Sequence, residues 1–417
     1  MRSFRALRRN TTDKVTEICY TIDNVLAMKN RISMRLAASA AVIALLLPVG
    51  AGAADFYVAT TGNDGDDGSQ ATPFATLGAA IAAADAAIAG GETDATIHVA
   101  AGTYVGSGHV LTNAIAVVGA GADNTVVDGN GGYRVFSLGS PDAALKGLCV
   151  SNGMFTASGD KGAGVYMAAG LVEDCLITSC GNATDTTYGG GIYALGGRIS
   201  RTTFTGCKVH MAWGYKGYGS ALYLSNGAVC ENSLFTGNAA PAYDTTGSYK
   251  YRGGVVHLTG AETALVNCSV VRNRIARGGG NSDKNFAGIV QASDATVVNC
   301  VSYMNCPGDF DAATTVYGDV IGSAASFVHS AWGTAINGLS PDSPLAISDA
   351  SFRNYAGGNF VPAAGSALAK GGTSWSDYLG SGALSETDLV GRARRIGKVL
   401  DIGCYKAPDT NLSIILR

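Results

Sequence analysis

Between residues 147 and 305 a six-residue cassette recurs six times without internal gaps. The copies are Gly147-Leu-Cys-Val-Ser-Asn152, Cys175-Leu-Ile-Thr-Ser-Cys180, Thr202-Thr-Phe-Thr-Gly-Cys207, Ser233-Leu-Phe-Thr-Gly-Asn238, Cys268-Ser-Val-Val-Arg-Asn273 and Cys300-Val-Ser-Tyr-Met-Asn305, with first residues 28, 27, 31, 35 and 32 apart. A second family drifts with the first: Gly164-Val-Tyr, Gly191-Ile-Tyr, Ala221-Leu-Tyr, Val255-Val-His and Gly288-Ile-Val. A repeat of about 30 residues is one unit that cannot bury an apolar face alone, so the units must stack. The first column is small throughout, and the third is mostly apolar: Cys149, Ile177, Phe204, Phe235, Val270, Ser302. The last column is Asn152, Cys180, Cys207, Asn238, Asn273, Asn305. Side chains two apart in a strand face the same way. Each cassette therefore reads as a short strand with an inward face, pairing in parallel with the next coil at about 4.8 Å. Recurring Asn at the strand end predicts an internal amide ladder, with Cys in that column as a small apolar filler. The expected fold is an all-β parallel β-helix. A propeller repeats at about 40 residues or more, and a sandwich has no such columns.

Composition agrees. Gly is 58 of 417 residues, roughly twice ordinary usage, while Pro is 9 and charged residues are 15%. Low charge with 47% hydrophobic residues excludes a disordered chain. Glycines without a three-residue period exclude collagen. With 29 Lys+Arg against 32 Asp+Glu there is no basic excess, so no nucleic-acid partner is expected.

A stack has two open ends that need covering. Thr72-Pro73, the Ala-rich residues 74–89 and Gly90-Gly91 read as an N-terminal capping helix, with Thr72 as N-cap, Pro73 at N1 and Gly90 as the stop. Residues 96–99 and 114–118 read as early strands. The columns fade after about residue 310. The expected organisation is a signal-peptide region over 1–53, an N-terminal cap with its helix over 54–95, the β-helix over 96–310, and final coils with a C-terminal capping segment over 311–417.

The signal rests on Lys29, Arg31 and Arg35, an uncharged apolar run over 36–47, and the small-x-small site Ala51-Gly52-Ala53. Cleavage is expected after Ala53, translation from Met28 or Met34, and the mature chain is expected to be secreted or at the cell surface. The run is shorter than the about 20 residues of a membrane span, so no transmembrane segment is expected in the mature chain. Beyond residue 53 the chain has 21 Lys+Arg and 29 Asp+Glu, a net charge of −8. An acidic ligand then needs a local basic patch or a bridging cation.

Phe56-Tyr-Val58, Gly62-Asn-Asp64, Asp67-Gly-Ser69, Pro73-Phe-Ala-Thr76 and Ala100-Ala-Gly-Thr-Tyr104 are similar to the opening of secreted right-handed parallel β-helix proteins of the pectin-lyase-like superfamily. Ser366-Ala-Leu-Ala-Lys-Gly371, Asp388-Leu-Val-Gly-Arg392 and Asp401-Ile-Gly-Cys-Tyr405 resemble the C-terminal segment of its bacterial surface members, with Cys404 and Lys406 where the pattern has Ala and Glu. The resemblance implies a right-handed solenoid and a polysaccharide partner, since members are lyases, hydrolases, esterases or binding proteins. The Gly-His-Gly of the hydrolases and the Arg-x-Pro-x-x-Arg of the main pectate lyases are absent, and the Asp-plus-Gln frame of the esterases is not recognisable. What is implied is a protein that binds an acidic, uronate-type polysaccharide; whether it also cleaves it, by lyase-type β-elimination, is left open. The alternative is a non-catalytic adhesin, glycan-binding or structural protein.

Coil length varies between the two strand families, and those inserts are where a site can be built on a rigid scaffold. They hold Lys161; then Trp213, Tyr215, Lys216 and Tyr218; then Tyr243, Tyr249, Lys250, Tyr251 and Arg252; then Arg274, Arg277 and Lys284. Aromatic faces stack on sugar rings and cations pair with carboxylates, so Trp213, Tyr215, Lys216 and Tyr251 are the substrate-binding candidates. The alternative is a solvated loop surface with gap-filling tyrosines. A lyase must acidify the proton beside the uronate carboxylate, usually with Ca²⁺ on that carboxylate. The resemblance implies Arg or Lys as base, for which Arg252, Lys250 and Arg274 are candidates. Asp244 and Asp283, with Asp160 and Asp185 in comparable inserts, are the candidate Ca²⁺ ligands, and no other cofactor is expected. Asn63-Asp-Gly-Asp-Asp-Gly68 resembles half a Ca²⁺ loop but reads better as a tight Asx and Gly turn. Of ten cysteines, nine lie beyond Cys19. Cys180 and Cys207, one coil apart, are within disulfide reach, while inward positions suit free thiols. No C-x-x-C points to a metal. His257 sits in a repeat column and reads as structural. A monomer is expected.

Overall fold

The computed structural model describes residues 52–181, 187–209, 217–240, 252–275, 285–305, 317–322, 326–333, 345, 347–373, 386–394 and 400–408. They build a right-handed parallel β-helix, each coil running through three sheets in turn. Sheet A has ten strands, from β1 (Ala53–Val58) to Phe327–Val328. Sheet B has nine, from Gly102–Val105 to Ala331–Trp332, and sheet C has eight, from His109–Leu111 to Tyr317–Ile321.

The cassettes are the strands of sheet B. Ile177 pairs with Phe204, Phe204 with Phe235, Phe235 with Val270 and Val270 with Ser302, all in parallel and all facing the core. The Phe204 and Phe235 rings stack 4.6 Å apart, sealed from solvent. Five cassettes thus lie in the register their columns predict. The first is one residue out: Cys149 pairs with Leu176 and Val150 with Ile177. Continuing that register puts Gly153 level with Cys180. Asn152 instead turns the corner at φ 53°, as Ser179 does at 54°, and its amide donates to Asp128 Oδ1 at 2.9 Å. Asn suits a left-handed corner as well as an amide ladder, so the residue type at 152 could not fix the register.

Two polar ladders run up the inside of sheet B. At the strand ends, Asn238 Nδ2 donates to Asn273 Oδ1 at 3.0 Å, Asn273 Nδ2 to Asn305 Oδ1 at 2.7 Å, and Asn305 Nδ2 to Asp319 Oδ1 at 3.0 Å. Cysteine extends this ladder as a donor as well as a filler. Cys207 Sγ donates to Ile177 O at 3.5 Å, just as Asn238 Nδ2, one coil on, donates to Phe204 O at 2.9 Å. At the strand starts, Cys175, Thr202, Ser233, Cys268, Cys300 and Ser330 each donate to the carbonyl two residues back. Ser233 Oγ in turn accepts the Thr202 N–H, Cys300 Sγ the Cys268 N–H, and Ser330 Oγ the Cys300 N–H. The smallness of the first column is thereby explained: the corner takes a short side chain that also donates.

The eight described cysteines, Cys180 and Cys207 included, are buried free thiols. Burial pushes Cys175 and Cys207 up to about 12 and Cys149 up to about 11. Since the thiolate is the reactive form, these thiols are expected to resist an alkylating reagent in the native protein and to react fully in denaturant. Mass spectrometry after labelling reads the count, and rapid native labelling of Cys207 would overturn the packed ladder.

The capping helix, α1, spans Leu77–Ala89. Its N-cap is Thr76, whose Oγ1 accepts the Ala79 N–H at 3.2 Å, and not the expected Thr72. The reason lies in the Asn63 loop. Asp64 Oδ1 accepts the N–H groups of Ala75 and Thr76, and its Oδ2 the Thr76 hydroxyl, each at 2.8 Å. Phe74 meanwhile donates its N–H to Tyr57 O at 2.9 Å, which keeps the chain before residue 75 extended along β1. The loop is an Asx turn, Asn63 Oδ1 accepting the Gly65 N–H at 3.1 Å, and it serves the cap. Leu77, Ala80, Ile81 and Ala84 form the buried stripe of α1 against β1 and Asp94–Val99.

Burial acts to raise the Asp64 carboxyl, but the Thr76 and Ala75 hydrogen bonds outweigh it and hold it below the ordinary 3.8. A carboxyl depressed on folding stabilises above its unfolded value, and that contribution disappears as pH falls through the folded one. Asp64→Asn is therefore expected to be less stable than the parent near neutral pH, with the gap closing below 3.8. Urea midpoints at both pH values check this; a gap that persists in acid assigns the effect to something other than the charge.

Sheet B is covered on its outside by the tail. Leu234, Val271, Val301 and Ala331 face outward and pack with Phe352, Phe360, Leu368, Ile402 and Cys404. The acids of the tail pattern are pins: Asp388 accepts the N–H groups of Val390, Arg392 and Lys406, and Asp401 those of Lys370 and Ala407. Among the described residues no helix is long and apolar enough to cross a membrane.

Candidate functional site

The inserts between sheets B and C place most of the sequence candidates outside the described residues: Trp213, Tyr215, Lys216, Lys250, Tyr251, Asp244 and Asp283, and also Asp185. Arg252 opens the strand Arg252–Leu258 of sheet C and pairs with Asn285. Arg274 is exposed at the start of Arg274–Ile275 and pairs with Ala239. Asp160 spends one carboxylate oxygen on the Thr156 and Ala157 N–H groups, closing its own loop. Among the described residues no three His, Cys, Asp or Glu are grouped to hold a metal.

What the structure does bring together lies on the outer face of sheet C. Its strands are three residues long at the centre, so the middle residue faces out: Ser137, Tyr166, Tyr193, Tyr223 and His257 follow one another up the stack. Close packing beneath sets where these strands run: a Cβ on Gly191 would lie 2.5 Å from Ala221 O. The Tyr166 and Tyr193 rings stack at 5.8 Å, Tyr193 and Tyr223 at 4.8 Å, and Tyr223 and His257 at 5.0 Å. A second column, Lys161, Tyr188 and Tyr218, pairs in parallel beside it. Tyr188 and Tyr218 stack at 5.3 Å and meet Tyr193, Tyr223 and His257 edge-on. Continuing the Leu222–Val256 register back four residues places Arg252 level with Tyr218.

Because the rings stack on each other, their faces are spent within the column; Tyr193 and His257 are buried, and Tyr166 and Tyr223 are half-buried, with only ring edges and phenol groups left toward the outside. Burial raises the Tyr193 phenol and pushes Tyr223 to about 12, so both remain protonated donors throughout the ordinary pH range.

Two cations accompany the column. The Arg134 guanidinium lies 5.0 Å from the Tyr166 ring centre, and Lys161 Nζ lies 5.1 Å from that of Tyr193 and 5.9 Å from that of Tyr188. Ser137, too short to fill its rung, touches Arg134 Nη1 at 3.4 Å. On sheet A the cations are matched: Lys146 with Glu173, Arg198 with buried Glu231 at 2.8 Å, and Arg201 with Asp174 and Glu173. Arg134 and Lys161 have no carboxylate partner among the described residues. In an acidic chain, this face is a cationic, donor-rich strip.

The sequence singled out Lys161 and Tyr218 but passed over Tyr133, Arg134, Tyr166, Tyr188, Tyr193 and Tyr223. The signal was present in the third position of the second strand family, Tyr-Tyr-Tyr-His, which reads first as architecture.

No family model and no curated protein matches the chain. Solved structures similar to it include a rhamnogalacturonan lyase, at 11% identity over 72% of this chain and 91% of that one with a TM-score of 0.39. Pectin methylesterase from carrot shows 12% identity over 69% and 84%, TM-score 0.35. Pectin methylesterase from Aspergillus niger shows 15% over 70% and 90%, TM-score 0.32. The likeness is one of fold at low identity, and no site residue is carried across from it.

Proposed function

We propose that the protein binds an acidic polysaccharide laid along the stack on the outer face of sheet C. The carrying observation is that Arg134 and Lys161 lie on the tyrosine column without a carboxylate partner among the described residues, while the cations of sheet A are paired. Protonated Tyr223, half-buried on the same face, adds a donor, and sugar carboxylates and hydroxyls are its complements. Charge-assisted bonds are the strong ones. Lys161→Ala is expected to weaken binding to a polyuronate about tenfold at low ionic strength, in keeping with the roughly 1.5–3 kcal/mol of a bond to a charged group reduced by exposure. Added salt should shrink that difference. Affinity electrophoresis in gels holding polyuronate or a neutral glucan measures it. Equal mobility of the parent protein in both gels would sink this reading.

Cleavage by β-elimination is a second reading, favoured by Arg252 falling level with Tyr218 at the edge of this face. Arg252 would serve as base, with Lys250 and Arg274 as alternatives; Asp244 and Asp283 remain the Ca²⁺ candidates. New ultraviolet absorbance from unsaturated uronate, with and without Ca²⁺, separates a lyase from a protein that only binds. The reading takes the protein to meet such a polysaccharide outside the cell, the location that the signal-like residues 29–53 imply.

A further inference from the structure

We propose that Tyr133 and Arg134 form a terminal subsite for one acidic sugar at the N-terminal end of the aromatic column; this rests on the reading that the outer face of sheet C binds an acidic glycan. Each ring within the column has a neighbour on either side: Tyr166 lies between Arg134 and Tyr193, Tyr193 between Tyr166 and Tyr223, and Tyr223 between Tyr193 and His257. Tyr133 ends the series. The Arg134 guanidinium lies 4.9 Å from its ring centre, and the residue is 39% exposed. It is the one aromatic of the column among the exposed large apolar residues, and Val110 and Met154 of the neighbouring coils share that exposure. An aromatic ring backed by a cation and open to solvent suits the C–H face of a sugar.

The guanidinium supplies the other half. Nε donates to Lys161 O and Gly162 O at 3.1 Å, Nη2 to Lys161 O at 2.8 Å and Nη1 to Ser137 Oγ at 3.4 Å. Arginine has five N–H donors. Three are engaged, which leaves two without a partner among the described residues, on a group already fixed between two rings. A carboxylate beside a sugar stacked on Tyr133 takes those donors without any reordering of Arg134, and the Lys161 ammonium, on the next rung, adds to the attraction. A neutral sugar leaves them unmatched, so the subsite selects acid.

The test uses the full chain, titrated calorimetrically with a uronic-acid oligosaccharide and with the same oligosaccharide after reduction of its carboxyls. Tyr133→Ala should lower affinity for the acidic ligand about tenfold at both low and high salt, because stacking is not screened, and Tyr133→Phe should restore it. Lys161→Ala should lose affinity only at low salt. Parent-like affinity of Tyr133→Ala, with Lys161→Ala still weakened, overturns the subsite and leaves the acidic-glycan reading standing. Equal affinity for the acidic and reduced ligands overturns its acid selectivity. Failure of the parent to bind either ligand removes both. Unchanged thermal unfolding of Tyr133→Ala shows that the fold is intact.

Discussion

Asn273→Ala is expected to cost about 2–4 kcal/mol of stability. Asn273 Oδ1 accepts both the backbone N–H and the side-chain amide of Asn238, each at 3.0 Å. Its Nδ2 donates to Phe235 O at 2.9 Å and to Asn305 Oδ1 at 2.7 Å. Alanine leaves these partners buried and unmet, and a stranded buried group costs about 1–3 kcal/mol. Some relaxation offsets the sum, so the lower end applies if a water enters. Denaturant unfolding reads the change as a shift in midpoint at constant slope. Asn238→Ala and Asn273→Ala share a bond, so the double variant should lose less than the two singles added together. A loss under about 1 kcal/mol for Asn273→Ala would mean that the ladder is incidental to the stack.

Phe235→Ala should cost about 3–5 kcal/mol, the range for removing a buried aromatic from a packed core. The ring lies inside the coil, fully buried, against Phe204 at 4.6 Å and in register with Val270. Neighbouring coils hold the cavity open from above and below, which limits collapse. Phe235→Leu keeps part of the volume and should cost less than half as much. Because each coil rests on its neighbours, the loss should appear as lower overall stability rather than as a local loosening. Tyr166→Ala, from the outer face and half-buried, removes a stacked ring without opening the core, and its effect should be clearly smaller. Equal losses at 235 and 166 would mean that the inward and outward faces have been exchanged.

Most of the architecture was legible because a solenoid writes its contacts into columns. Cys175, Thr202, Ser233, Cys268 and Cys300 are vertical neighbours in the sequence alignment and in the structure. The column could show that these positions are small, but not that each donates to a carbonyl two residues back, since Cys, Ser and Thr share size and donor chemistry. The one slip, at Asn152, came from a residue equally suited to two adjacent positions. The helix start was misplaced by four residues because Thr72-Pro73 is a strong local signal, and the carboxylate that overrides it, Asp64, comes from a loop several residues earlier. The site was the least legible part. Insert length drew attention to Trp213 and Lys250, while the tyrosine column is written in the same periodicity as the core. Only the register reveals that Tyr166, Tyr193 and Tyr223 share one outward face, and only the side-chain contacts reveal that Arg134, from outside any strand, completes it.

Oxidative cross-linking across two adjacent coils reads that register most directly. Thr205 and Thr236 are paired outward positions of sheet B, and Thr178 pairs with Thr205 in turn. Thr205→Cys with Thr236→Cys puts two accessible thiols on neighbouring strands, about 4.8 Å apart, within the Cα range of about 4.4–6.8 Å that a disulfide spans. Thr178→Cys with Thr236→Cys lies two rungs apart, about 9.6 Å, beyond that range. Mild oxidation, followed by mass spectrometry of the intact protein and its peptides, should show the first pair joined within one chain and the second pair left as thiols. Joining of the second pair in place of the first would mean that the coils are not stacked as described, and the outward tyrosine face would fall with them.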